Sequence, residues 1–245
     1  LHDALPIYKT EFMILGNSQL LKEIPTCPLT VGNTSVEPSE SVKSLGVVFT
    51  KSMSSEKQVL NTCRIANTHL HNIGKIRKYL DNDTAKQIVH SCVTSRLDYC
   101  NSLVSGLGNV GKLQRVQNRA ARIITRTNTH EHITPVLKDL HWLPVKQRIK
   151  YKVLLLTHSA VYDDDFPVYI KELISLYNPP RPLRSAANTC LNIPQYATMT
   201  GSNAFAVKAP VLWNSIPERL RSERDHSRFK SYLKTFCFAE AYLQN

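Results

Sequence analysis

The spacing of apolar residues between positions 59 and 126 constrains the fold more than any other feature of this chain. In the first segment, steps of three, four or seven residues separate Val59, Cys63, Ala66, Leu70, Ile73 and Leu80. This spacing places them on one face of a helix, and residues 88–104 and 110–126 show the same pattern. Because each amphipathic helix must bury its apolar face, we predict a helical bundle over residues 51–128.

Short apolar runs precede the bundle and helical patterns follow it. We predict strands at residues 9–16, 29–31 and 44–49, which form a small β element within residues 8–50. Residues 129–245 predict a second mainly helical region, with a Pro-rich connection at 178–210 that carries extended pieces near 191–193 and 204–207. Further helices are predicted at 146–161, 168–177 and 227–242. The predicted fold is mainly α with a small N-terminal β element.

The charge balance favours a polyanionic partner. The 245 residues carry 31 Lys and Arg against 19 Asp and Glu, a formal net charge of +12. Such an excess attracts nucleic acid because neutralised phosphates release their counterions. Composition alone leaves open a basic domain without any such partner.

The third helix of the predicted bundle carries a regular row of cations. Steps of three and four residues separate Lys112, Arg115, Arg119, Arg122 and Arg126. We call these five residues the basic stripe. An apolar row at Leu113, Val116, Ala120 and Ile123 adjoins it, so the helix can pack by one face and present guanidinium groups beside it. The alternative is a solvated helix face, although no acidic residue interrupts the stripe.

Other basic residues are less regular. The first helix adds Arg64, Lys75, Arg77 and Lys78, and the region after the bundle adds Lys146, Arg148, Lys150 and Lys152. Solubility explains these residues as well as ligand binding does.

The chain shows no complete catalytic or metal site. Its 6 cysteines include no CxxC pair and no zinc-ligand spacing with histidine, which indicates free thiols in a reduced compartment, the cytoplasm or the nucleus. No apolar run is long enough to span a membrane, and no secretory signal is recognisable. The turn Tyr162 to Asp165 resembles the metal-binding turn of template-copying polymerases, but it follows a helical pattern and precedes Phe166-Pro167. A helix–loop–helix connection is therefore the simpler interpretation.

Residues 1–7, LHDALPI, are set apart from the fold. They are the translation of CTACACGACGCTCTTCCGATC, a string that resembles a sequencing-library adapter. We interpret them as an adapter-derived scar and exclude them from fold reasoning.

Several long strings are characteristic of one family. They are KTEFMILG, KSLGVVFT, HSCVTSRLDYCNSLVSGL, LQRVQNRAARIITR, EHITPVLKDLHWLPVKQRIKYKVLLL, RPLRS and FAVKAPVLWNSIP. In this order they resemble the C-terminal part of the reverse transcriptase of LINE-type (non-LTR, jockey-like) retrotransposons. The resemblance covers essentially all of residues 9–240.

The resemblance implies the end of a polymerase palm, a helical thumb and a C-terminal domain. In that family the catalytic aspartates precede the KTE segment, so this chain is expected to lack them and to be inactive by itself. Lys9 matches a lysine that could protonate the leaving pyrophosphate. Leu45 and Gly46 match the primer-grip hairpin, and the predicted bundle matches the thumb, which holds the template–primer duplex.

The function expected from the resemblance is that of a truncated RNA-directed DNA polymerase that retains template–primer-binding parts. Its partner would be an RNA–DNA template–primer, with no membrane partner. No cofactor is expected in this part, while the intact polymerase would use Mg²⁺. The signature residues His141, Trp142, Trp213 and Asn214 are expected to be structural. The alternatives are a stand-alone helical nucleic-acid-binding or assembly protein derived from such an element, or an untranslated relic.

Overall fold

The computed structural model describes residues 10–16, 21, 27–104, 109–178 and 189–243. The chain forms two compact units, residues 1–65 and 66–245. As predicted, it is mainly helical with a small N-terminal β element. Residues 1–7 and Lys9 lie outside the described residues.

The first unit contains two antiparallel β-hairpins. Strand β1, Leu29–Val31, pairs with β2, Thr34–Val36. Strand β3, Ser41–Ser44, pairs with β4, Val47–Thr50, in a register that places Ser44 opposite Val47. Helix α1, Glu56–Ile76, begins after the second hairpin.

Two strand predictions in this unit were wrong. The predicted strand at 44–49 is a hairpin, because Leu45 and Gly46 adopt φ values of 47° and 80° and reverse the chain. The part of the 9–16 segment that the structure describes makes only an isolated bridge, between Phe12 and Pro38.

The second unit is built from helices. After the end of α1 they are α2 Asn82–Val89, α3 Ser95–Asp98, α4 Val110–Thr125, α5 Ile133–Asp139, α6 Val145–Tyr162, α7 Val168–Lys171, α8 Met199–Ser202, α9 Phe205–Asn214, α10 Glu218–Arg221 and α11 His226–Tyr242. A π-helical turn, His90–Thr94, joins α2 to α3. A 3₁₀ turn at Arg77–Tyr79 follows α1, and another at Asn101–Val104 follows α3.

The core around Trp213 holds the C-terminal helices together. Trp213 is fully buried and donates its indole N–H to the carbonyl of Thr189 at 2.7 Å. It lies in one apolar cluster with Leu143, Leu154, Leu191, Ile216, Leu220, Phe229, Leu233 and Cys237. Helices α6, α9 and α11 therefore share a continuous core.

A buried histidine lies against this core. The His158 ring stacks on Phe229 with centroids 4.2 Å apart, and its Nε2 lies 2.9 Å from the carbonyl oxygen of Glu223. Burial lowers the pKa of His158, since the imidazolium form loses hydration inside the protein.

Helix boundaries differ from prediction where backbone conformation overrides the apolar pattern. The second predicted helix, whose apolar face was placed at 88–104, ends at Asp98, because Tyr99 is extended with ψ of 118° and Cys100 follows in a left-handed conformation with φ of 51°. The predicted extended piece at 204–207 is instead the N-cap and first turn of α9, a helix that contains Pro210. The helix predicted at 168–177 extends only over Val168–Lys171.

The acidic turn Tyr162 to Asp165 belongs to a helix–loop–helix connection, as predicted. Helix α6 ends at Tyr162, whose hydroxyl donates to the carbonyl of Arg221, and α7 begins at Val168. Across the described ranges, no helix has the length and apolar character needed to cross a membrane.

Candidate nucleic-acid interface

The basic stripe lies on a strongly amphipathic helix. Helix α4 buries Leu113, Val116, Ala120 and Ile124 against the rest of the second unit. Ile124, rather than the predicted Ile123, completes the buried face. Burial of this face fixes which side of α4 can meet a ligand.

The apolar spacing of the sequence did not predict that a glutamine on α4 is buried. Gln117 is 2% exposed and donates its amide to the carbonyl of Leu143 at 2.9 Å. Its neighbour Gln114 accepts from the backbone N–H of Val145 at 2.8 Å. These bonds tie α4 to the start of α6 and fix the orientation of the stripe.

The five stripe residues do not have equivalent surroundings. Arg115 and Arg119 are exposed, and Arg119 donates to the Oδ1 of Asn67 on α1 at 2.9 Å. Lys112 is half-buried in the first turn of α4. Arg115 and Arg119 are therefore the two stripe arginines best placed to reach a phosphate.

The last two stripe arginines both donate to backbone carbonyls. Arg122 donates to the carbonyls of Asn128 at 3.3 Å and Glu131 at 3.1 Å. Arg126 lies past the helix end with φ of 58° and donates to the carbonyl of Arg77 at 3.2 Å. Spacing alone placed these residues in the stripe and could not reveal their backbone partners.

Arg77 is buried beneath the end of α4. Its guanidinium group, 6% exposed, donates to the carbonyls of Ile123 at 2.9 Å and Ile124 at 2.6 Å. It also donates to the carbonyl of Leu80 at 2.5 Å and to Asn82 Oδ1. The last carbonyls of a helix lack intrahelical donors, so Arg77 satisfies two of them and complements the helix dipole.

An open groove of about 610 Å³ lies between α1 and α4. It is lined by Leu70, His71, Gly74, Lys75, Arg115, Asn118, Arg119, Arg122, Ile123, Thr127 and Thr129. Cations come from both helices, and no carboxylate is among these lining residues. The groove thus combines positive charge with hydrogen-bond donors, as phosphate binding requires.

Gly74 contributes a stretch of open backbone to this groove. It lies in the last part of α1, where glycine costs about 1 kcal/mol relative to alanine. An added Cβ would meet no atom within 4 Å, so packing does not require glycine here. A ligand can approach the backbone of α1 closely at this position.

Lys75 and His71 also line the groove, although the sequence pattern placed Lys75 only among the less regular cations of the first helix and did not assign His71 to an interface. Both are exposed on α1 and line the groove opposite the stripe. The available signal was their position on the same helix as the apolar row. It is weak, because it does not tell which neighbouring helix they face.

Leu45 and Gly46 form the tip of the second hairpin in the first unit. Positive φ at both residues is the geometry of a type I′ turn, which matches the twist of the flanking strands. Leucine in this conformation costs about 1 kcal/mol or more, and its side chain is 90% exposed. The turn therefore presents an apolar side chain to solvent from a strained position.

Metal-ligating geometry is not found in the described part of the chain. No group of three or more His, Cys, Asp or Glu residues is placed to hold an ion there. Asp163, Asp164 and Asp165 are exposed, and Lys171 donates to the backbone carbonyls of the first two. These residues do not fit a polymerase Mg²⁺ site, and we assign them no catalytic step.

The signature residues of the C-terminal region are placed in different environments. Trp213 is buried, and Asn214 bonds both the N–H and the carbonyl of Leu191, at 2.9 and 2.8 Å. His141 is exposed with φ of 54°, and Trp142 is half-buried.

Comparison with known proteins gives no relative. A scan against protein-family models, a search of curated proteins and a search of solved structures each found no match.

Proposed function

We propose that this chain is the template–primer-binding part of a reverse transcriptase of the non-LTR retrotransposon type. In this proposal the groove between α1 and α4 holds an RNA–DNA duplex by its phosphate backbone. The protein works in the cytoplasm or the nucleus, where nucleic acid is present and its cysteines stay reduced. Mg²⁺ and the chemical step belong to the intact polymerase.

The observation that carries the proposal is the composition of the groove. Arg115 and Arg119 on one wall face a groove whose other wall supplies Lys75, and no lining residue is acidic. Guanidinium groups donate two parallel hydrogen bonds to one phosphate, which fixes a duplex in position without reading its sequence. A polymerase needs this kind of contact, because it must move along any template.

The second hairpin supports the same proposal from the first unit. The exposed Leu45 side chain at its tip is suited to apolar contact with a sugar of the primer strand. Gly46 adds no side chain, so a strand can approach the backbone there. This is the role that the family resemblance assigns to the primer grip, and it stays a proposal. The general-acid role of Lys9 is likewise a proposal and lies outside the described residues.

Binding of a blunt RNA–DNA duplex, measured by fluorescence anisotropy at low salt, tests the proposal. The variant R115Q/R119Q removes two exposed stripe arginines and leaves Arg122, which holds the following loop, in place. At about 1.5 kcal/mol for each charge-assisted contact, the loss is about 3 kcal/mol. Affinity should therefore fall about a hundredfold.

The matched control is R224Q/R228Q, which removes two exposed arginines outside the groove. It lowers the net charge by the same amount as R115Q/R119Q. Because its arginines lie outside the groove, its affinity should stay within about threefold of the parent protein if the groove is the binding site. Equal losses in the two variants would show that net charge alone drives binding. The proposal would then be wrong.

A further inference from the structure

A second cleft, of about 700 Å³, lies within the helical unit and away from the groove. Its walls come from the π-helical turn with α3, from the start of α6 and from α11. The lining residues are His90, Thr94, Asp98, Asn101, His141, Trp142, Leu143, Arg148, Tyr151, Lys152, Leu155, Ser227, Lys230, Ser231 and Lys234. None of them lines the groove between α1 and α4.

One buried side chain in the lining of this cleft has an acceptor atom without a partner. Asn101 is 4% exposed, and its Nδ2 donates to Asp98 Oδ1 at 3.4 Å. Its Oδ1 is buried without a hydrogen bond from any described residue. An unsatisfied buried acceptor costs about 1 to 3 kcal/mol, so Asn101 is a locally unfavourable element of this wall.

The π-helical turn gives this wall its shape. His90–Thr94 interrupts the α-helical ladder between α2 and α3, and both His90 and Thr94 line the cleft. Such turns are rare and frequently occur at functional sites. The segment therefore carries a local distortion where the ligand-facing residues are.

The rim of the cleft is positively charged. Lys152 on α6 and Lys230 and Lys234 on α11 are exposed and make no ion pair within the described part of the chain. The lining includes one carboxylate, Asp98, which accepts hydrogen bonds from Nε and Nη2 of Arg148. Its charge is thus neutralised, and three lysines are left to attract an anion.

Aromatic rings complete the lining. Tyr151 is half-buried beside Lys152, and Trp142 lies half-buried on the opposite segment. The backbone of His141, which precedes Trp142, is strained, with φ of 54°. Flat aromatic rings beside lysines suit an unpaired base and its phosphate, because a base can stack only when it has left the duplex.

We propose that this cleft binds an unpaired segment of a nucleic-acid strand. Bases stack on Trp142 and Tyr151, and phosphates lie against the three rim lysines. The inference rests on the proposed function for its class of ligand, a nucleic acid. The choice of the cleft as the site rests on the lining residues alone. It extends that function from duplex holding to contact with the unpaired template.

Tryptophan fluorescence gives the first test, because the chain has only 2 tryptophans. Trp213 is 0% exposed, so a stacked base can reach only Trp142. A single-stranded oligonucleotide of about 15 nucleotides should quench the emission of the parent protein. In Trp142→Phe this quenching should disappear. Quenching that persists in Trp142→Phe would overturn the assignment.

Anisotropy with two probes gives the second test. The variant K152Q/K230Q/K234Q should lose at least about tenfold in affinity for the single strand and keep its affinity for a blunt duplex. R115Q/R119Q should show the reverse pattern. The three lysines are exposed, so circular dichroism should confirm an unchanged fold.

The outcomes separate the two proposals. If the duplex binds through the stripe while K152Q/K230Q/K234Q retains full single-strand affinity, the cleft inference is wrong and the proposed function stands. If R115Q/R119Q binds the duplex normally while the lysine variant loses the single strand, the groove assignment is wrong and the cleft inference stands.

Discussion

Replacement of Arg77 should destabilise the helical unit more than replacement of any exposed cation. Its guanidinium group donates to three backbone carbonyls, of Leu80, Ile123 and Ile124, at 2.5 to 2.9 Å. In Arg77→Met a side chain of similar length fills the site, but the carbonyls lose their donor. At about 1 kcal/mol for each carbonyl, the free energy of unfolding should fall by about 3 kcal/mol.

Urea denaturation followed by far-UV circular dichroism measures this loss, with Lys78→Met as the matched control. Lys78 is the next residue, carries the same charge and is exposed, so its replacement should change stability by no more than about 0.5 kcal/mol. For a unit of this size, the loss in Arg77→Met corresponds to a decrease in Tm of about 6 to 12 °C. If Arg77→Met were as stable as Lys78→Met, the carbonyl-capping role would be refuted.

Three further predictions concern the C-terminal core and the thiols. Burial lowers the pKa of His158, so the unfolded chain binds a proton that the folded chain does not, and stability should fall as the pH drops below about 6.5, by up to about 1.4 kcal/mol per pH unit. Denaturant titrations at several pH values measure this, and an equally steep loss in His158→Gln would contradict it. Asn214→Ala should lower the free energy of unfolding by about 2 kcal/mol, because two hydrogen bonds to Leu191 are lost; unchanged denaturation midpoints would refute this. Burial raises the pKa of the Cys237 thiol to about 11, whereas Cys27 is exposed. Alkylation followed by mass spectrometry at neutral pH should therefore label Cys27 first and Cys237 only after unfolding, and equal labelling rates would count against the buried position.

The helical architecture was predictable because periodicity reports burial directly. The residues Leu113, Val116 and Ala120 were expected on the buried face of α4 and are buried there. Similarly, the helix predicted at 146–161 is observed as α6, Val145–Tyr162. A helix of this length repeats its pattern often enough that one exception does not change the interpretation.

Turns and buried polar residues were less predictable. The pair Leu45-Gly46 lies inside an apolar run, and only the reversal of φ at both positions turns that run into a hairpin. Arginine is a residue type usually found at the surface, and the burial of Arg77 depends on carbonyls more than forty positions away in the chain. Neither the spacing nor the residue type carries that long-range information.

The sequence predicted one wall of the candidate groove but not the other. The stripe residues Arg115 and Arg119 follow from spacing, and the structure exposes both. Lys75 joins them only because α1 and α4 lie side by side at the groove. Arg122 and Arg126 share the spacing but are bound to backbone carbonyls, which a helical pattern cannot show.

The salt dependence of duplex binding tests the central claim most directly. Each phosphate contact contributes about 0.9 to the slope of log K against log salt. We expect R115Q/R119Q to bind an RNA–DNA duplex with a slope shallower by about 2 than the parent protein, and R224Q/R228Q to keep the parent slope. Identical slopes for all three proteins would contradict the assignment of the duplex to the groove between α1 and α4.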